Sequence, residues 1–118
     1  MTRGGRGPAQ RLPRRSRIRR RQEYVVLQRD GRRRTTPHFV LVWRPRSDGG
    51  SRLGLTVSRK VGGAVLRNRV KRWVREWFRR HRTLVMPVQD VVVIARPGAA
   101  EIGYLEVATE LARALRIQ

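Results

Sequence analysis

Between Leu53 and Arg82 the apolar pattern changes from strict alternation to a helical period. Over Arg52–Ser58, Leu53, Leu55 and Val57 alternate with Gly54, Thr56 and Ser58, which predicts a strand with one apolar face and one small, polar face. The small face suits close approach, either of a nucleic-acid backbone or of a packed helix. Gly62-Gly63 then lets the chain turn sharply. From about Ala64 onward, Leu66, Val70, Trp73, Val74 and Trp77 recur at spacings of three and four, the stripe of an amphipathic helix. At about 100° per residue, Arg67, Asn68, Lys71, Arg72, Arg75, Arg79 and Arg82 fall on the opposite side. Ten basic residues and one acid, Glu76, lie between Arg59 and Arg82, and Glu76 can reach only Arg72 or Arg80 at four-residue spacing. Solvated faces normally mix signs, so this one predicts a polyanionic partner. The unpaired N–H groups of the helix start, beside Arg59 and Lys60, add to the same attraction.

The remaining pattern places this unit in a small α+β fold. Arg17–Arg29 reads as a short helix with Ile18, Tyr24, Val25 and Leu27 on its apolar side and Asp30-Gly31 as its stop. Arg32–Thr36 reads as a basic loop. The segment HFVLVWR, between Pro37 and Pro45, is a strand with large residues on both faces, hence covered on both sides. Asp48-Gly49-Gly50-Ser51 suggests a hairpin into the next strand. Pro87 ends the helical region, and Asp90–Ala95 is a buried strand stopped by Arg96-Pro97-Gly98. Glu101–Arg116 is a last helix with Ile102, Leu105, Ala108, Leu111, Ala112 and Leu115 on one side. It carries Glu101, Glu106 and Glu110, three of the eight acids, and is expected to face away from nucleic acid. The predicted order is αββαβα, a two-layer α/β sandwich. Residues 1–16, rich in Arg, Gly and Pro, are expected to be a disordered basic arm, with 17–118 a single RNA-binding domain.

Composition narrows the function class. The 118 residues suit one modest core, and a net charge of +21 points to nucleic acid or another anionic surface. Arginine outnumbers lysine 27 to 2, which favours bidentate phosphate contacts, although a GC-rich genome produces the same bias. The absence of cysteine excludes disulfides and thiolate chemistry. The basic N-terminus lacks an apolar segment behind it, and the runs Phe39–Trp43 and Val91–Ala95 are too short to span a bilayer, so a soluble, cytoplasmic protein is expected. Catalytic motifs are missing. His38 and His81 have no metal-ligand spacing, Asp30, Asp48 and Asp90 sit beside turns, and Ser58 has no G-x-S-x-G context. The chain reads as one that positions RNA. A ribosomal or general structured-RNA-binding protein is the alternative, and a DNA-binding helix module lacks a helix-turn-helix pattern.

One set of residues goes further. Val57-Ser58-Arg59-Lys60-Val61-Gly62, Ala64-Val65, Arg67-Asn68-Arg69-Val70-Lys71-Arg72, Arg75-Glu76 and Phe78-Arg79 resemble the signature of the protein subunit of bacterial ribonuclease P. Weaker matches at Arg17-Ile18-Arg19, Tyr24, Gly31 and Val92–Arg96 extend the resemblance over about residues 17–116. It implies a sandwich with a left-handed βαβ crossover around the basic helix. It also implies, as partners, precursor tRNA and the catalytic RNA that removes its 5′ leader with RNA-bound Mg²⁺. No metal on the protein, no protein catalytic residue and no further protein partner would be required. Carried onto this chain, the RNA-binding positions are Arg59, Lys60, Arg67, Asn68, Arg69, Lys71, Arg72 and Arg75. Tyr24 matches an aromatic of the cleft that holds the single-stranded leader. Gln28 stands where that helix often has a second aromatic, so leader stacking is expected to be either weaker or moved to Phe39 or Trp43 of the neighbouring strand. Gly63 stands where the family often has Asn.

Overall fold

The computed structural model describes residues 12–47, 49–85 and 88–116. In chain order the elements are α1 (Arg21–Asp30), β1 (Arg32–Thr35), β2 (Phe39–Pro45), β3 (Arg52–Thr56), α2 (Ala64–His81), β4 (Gln89–Ala95) and α3 (Tyr104–Ala114). One sheet has the strand order β1-β2-β4-β3. Its only parallel pair among the described residues, β3 with β4, is the one joined through α2.

Three expectations change. Arg32–Thr35 is an edge strand, antiparallel to β2, and not a loop. Backbone pairing to β2 forms it, so it carries no apolar signal. Its charges suit an exposed edge, which they protect from pairing with other chains. The expected β2–β3 hairpin is also absent. Val91, Val92 and Val93 are buried, and β4 takes the centre, pairing with β2 from Phe39↔Ala95 to Pro45↔Gln89. The turn after β2 therefore carries the chain past β4 to the far edge. Finally, the folded unit begins before residue 17. Leu12 and Ser16 are buried, Arg17 bridges to Leu53, and the Ile18 N–H donates to the Leu53 carbonyl at 2.8 Å. This segment flanks the outer edge of β3, and the rest of the expected arm, residues 1–11, lies outside the described residues.

Strand alternation divides the side chains between two layers. Phe39, Leu41, Leu53, Val91 and Val93 pack with Val70, Val74, Trp77 and Phe78 of α2 and with Val107 and Leu111 of α3. The opposite face carries a smaller cluster in which Val92 meets Ile18 and Leu27, with Tyr24 and Ile94 against it. The helical stripe thus faces the core as its spacing predicts, with Phe78 added and Leu66 and Trp73 at its margin. Gly62 enables the entry to α2. Its φ is +149°, and a Cβ there would stand 2.7 Å from Leu66 Cδ1.

Candidate nucleic-acid interface

Because α2 buries its stripe, its basic residues face outward. Arg59, Lys60, Asn68, Arg69, Arg72 and Arg75 are exposed, and Arg67 and Lys71 are half-buried. Glu76 holds Arg79 at 3.0 Å and Arg80 at 2.7 Å, leaving Arg72, its other sequence-predicted partner, unpaired. Those guanidiniums, Arg79 foremost, keep the Glu76 carboxyl below its ordinary range. Among the described residues, none of Arg59, Lys60, Arg67, Arg69, Lys71, Arg72 and Arg75 has a carboxylate partner. The Arg67 Nε is buried with no hydrogen-bond acceptor.

Tyr24 sits where α1 crosses β3. Its hydroxyl donates to the Ile18 carbonyl at 3.1 Å and accepts the Leu55 N–H at 3.2 Å. The ring lies so close to β3 that a Cβ on Gly54 would stand 2.9 Å from the hydroxyl oxygen and 3.0 Å from a ring carbon. The small face of β3 therefore receives an aromatic from a helix. A pocket of about 210 Å³ opens beside it, lined by Tyr24, Leu55, Arg17, Arg19 and Arg75 among others. Desolvation, followed by repulsion from Arg17, lowers the Arg75 pKa. Here the aromatic of α1 and the basic face of α2 meet across the β3 edge. Arg17 and Arg19 complete the cluster; their place in it depends on the 12–18 segment folding along β3, for which a basic, Pro-containing run carries no signal.

Strand register extends this site over the sheet. Val42, Val92 and Gly54 form one row, next to Leu27 and Tyr24 of α1. The next row on the same face, Thr35–Val40–Ile94–Thr56, runs across all four strands. Val40 and Ile94 are half-buried there, and Thr35 and Thr56 are exposed. This shelf was not foreseen, since it requires β4 to stand between β2 and β3.

Phe39 and Trp43 do not join it. They share strand parity with Leu41 and point to the α2/α3 layer, away from Tyr24. Phe39 is fully buried in that core, and Trp43 is half-buried with the Arg34 guanidinium 5.8 Å from its ring centre. The expected aromatic cleft thus reduces to Tyr24 with the aliphatic shelf.

Side-chain ties hold the frame. Arg52 bonds Asp90 through two contacts, at 2.9 and 2.8 Å, and Glu23 of α1 at 2.8 Å, joining α1, β3 and β4. Asp90, then Glu23, raise the Arg52 pKa. Burial alone would raise Glu23, but Arg52 holds it below the ordinary carboxylate value. On the far side, Glu110 accepts bonds from the Thr36 hydroxyl at 2.7 Å and the His38 N–H at 3.0 Å, and it pairs with the His38 ring. His38, Glu106 and Glu110 bring one ligand atom each within 4.8 Å of one another. Both carboxylate oxygens of Glu110 are already engaged, and a histidine is a poor partner for Mg²⁺, so this trio fits a structural tie between α3 and the start of β2. His81 is likewise occupied, 2.8 Å from the Trp77 carbonyl and stacked on the Trp77 ring. No helix of the described chain is long and apolar enough to cross a membrane.

Comparisons with known proteins agree with this architecture. The family model described as Ribonuclease P matches residues 12–117. A Ribonuclease P protein component of Desulfovibrio desulfuricans is 47% identical over 109 residues, covering 89% of this chain and 84% of that protein. The RNase P protein of Staphylococcus aureus superposes with a TM-score of 0.78 at 31% identity, covering 86% of this chain and 93% of that one. The RNase P protein of Thermotoga maritima, solved with 1-(4-fluorophenyl)-2-thiourea, also gives 0.78 at 36% identity, covering 86% of this chain and all of that one. With the signature of α2, the four-stranded sheet and these relatives in agreement, the chain belongs to the ribonuclease P protein family.

Proposed function

We propose that this chain is the RNA-binding subunit of a ribonuclease P that removes the 5′ leader of precursor tRNA in the cytoplasm. The observation that carries the reading is the basic face of α2, where Arg67, Arg69, Lys71, Arg72 and Arg75 have no carboxylate partner among the described residues, meeting the Tyr24 shelf at Arg75 and Arg17. Arg59, Lys60, Arg67, Asn68, Arg69, Lys71, Arg72 and Arg75 bind the catalytic RNA through its phosphates. Tyr24 and the Val40–Ile94 row hold the single-stranded leader, by contact with bases and without sequence reading.

In this reading the reacting groups belong to the catalytic RNA and the protein positions its partners. It lowers the repulsion between two RNA backbones and so favours both substrate binding and the occupancy of Mg²⁺ held by RNA. With about six phosphate contacts, affinity falls several hundred-fold between about 50 and 200 mM salt.

Cleavage of a precursor tRNA by a bacterial ribonuclease P RNA at low Mg²⁺, with and without the protein, tests the reading. Strong stimulation is expected, and the Arg69→Ala, Arg72→Ala double variant should lose most of it. RNA binding without stimulation would reject the proposal and leave a general RNA-binding role.

A further inference from the structure

A second basic, partly aromatic concavity lies on the opposite face of the sheet, at the β1 edge. It is a pocket of about 440 Å³ lined by Arg32, Arg34, Trp43, Pro45, Leu115 and Arg116 among others, with no carboxylate side chain among the described residues that line it. Arg34 lies over the Trp43 indole and donates to the Ala114 carbonyl at 3.1 Å, so a planar cation and an indole are held together. Arg32 and Arg116 are exposed. Arg116 is also the one described non-glycine residue with a left-handed backbone, at φ +57°. An L side chain is disfavoured there, and this one lines the pocket.

We infer that this pocket binds single-stranded RNA, namely the part of the 5′ leader that extends beyond the Tyr24 shelf; the assignment to the leader rests on the function proposed above. Guanidiniums contact phosphates, and a base stacks on the Arg34–Trp43 pair. The shelf row ends at Thr35 on the β1 edge, and Arg34 and Arg32, of opposite strand parity along the same edge, line the pocket on the other face, so RNA leaving the shelf must turn around that edge to reach it. From β3 to β1 the sheet spans three strand spacings, about 14 Å, so a strand laid along the shelf arrives at this edge within a few nucleotides.

Two arms test the inference with the full-length chain. In the first, the protein alone binds labelled oligouridylate, U10. The Arg32→Gln, Arg116→Gly double variant is expected to weaken binding about tenfold and to reduce the slope of log affinity on log salt by about 1.4, two contacts' worth. Arg116→Gly alone should raise Tm, because glycine accepts the backbone that arginine strains, so lost binding is not lost folding. In the second arm, the holoenzyme binds precursors with leaders of three and of twelve nucleotides. The long leader should bind more tightly to the wild type, and the ratio should fall towards one in the double variant. An unchanged U10 affinity, an unchanged ratio, or an equal loss for both leaders would overturn the inference. So would a Tm that falls together with binding. Because the U10 arm needs no catalytic RNA, it reads out even if the proposed function fails its own test.

Discussion

Tyr24 is fixed by its hydroxyl at two backbone groups and by its ring against Gly54. Tyr24→Phe keeps the ring but leaves the Ile18 carbonyl and the Leu55 N–H unpaired. A loss of about 1–2 kcal/mol in urea unfolding is expected, with leader affinity better retained than in Tyr24→Ala. Gly54→Ala drives a methyl into that ring and should cost about 1–3 kcal/mol. Gly63 behaves in the opposite way. Its φ of −70° suits any residue, a Cβ there meets nothing within 4 Å, and α2 starts without a side-chain cap. Gly63→Asn should therefore gain a few tenths of a kcal/mol through an N-cap bond, read as a higher urea midpoint. At this scale the sequence was legible where a residue's partners lie on its own element. The cations of α2 were found that way, from spacing along one helix, whereas Tyr24 was singled out by resemblance alone, its partners lying on β3 and ahead of α1. Phe39 and Trp43 were misassigned to the cleft because strand parity shows that they share a face with each other, and cannot show which face turns to α1.

Among the elements, α2 was legible almost to its ends, since helical spacing and the Gly-Gly hinge are both local signals. Strand β1 was not, because three consecutive arginines pair with β2 through backbone alone. The tie among Arg52, Asp90 and Glu23 was equally hidden, since its members come from three elements. It makes acid sensitivity predictable. Glu23 and Glu110 are both depressed in the folded state, so their contribution is present above the unfolded carboxylate value of 4.5 and is lost as pH falls through the lower folded values. Stability measured by urea should accordingly drop below about pH 4.5. Arg52→Gln should lower stability by about 1.5–3 kcal/mol at neutral pH and flatten that acid decline, because Glu23 then loses its main stabilising cation.

For the whole molecule, composition identified a polyanion partner, and the element order gave the α+β class. Strand order stayed beyond reach, because which strand occupies the centre depends on pairings between distant segments. A net charge of +21 also has a global effect that no single contact carries. Added salt should raise Tm of the free protein by screening self-repulsion while it weakens RNA binding, two opposite trends measurable on one sample.

Because β4 is the last strand in the chain and stands between β2 and β3, synthesis order and assembly order conflict. Until residue 95 has left the ribosome, β1–β2 is the one pairing between named strands that can form, beside the short Arg17–Leu53 bridge, and the arginine helix has no complete sheet to lie on. The nascent chain thus emerges as a long cationic tether beside ribosomal RNA, and closes in one late, non-local step. The same charge that recruits the partner is therefore a hazard during birth, and the speed of that last closure decides how long it lasts.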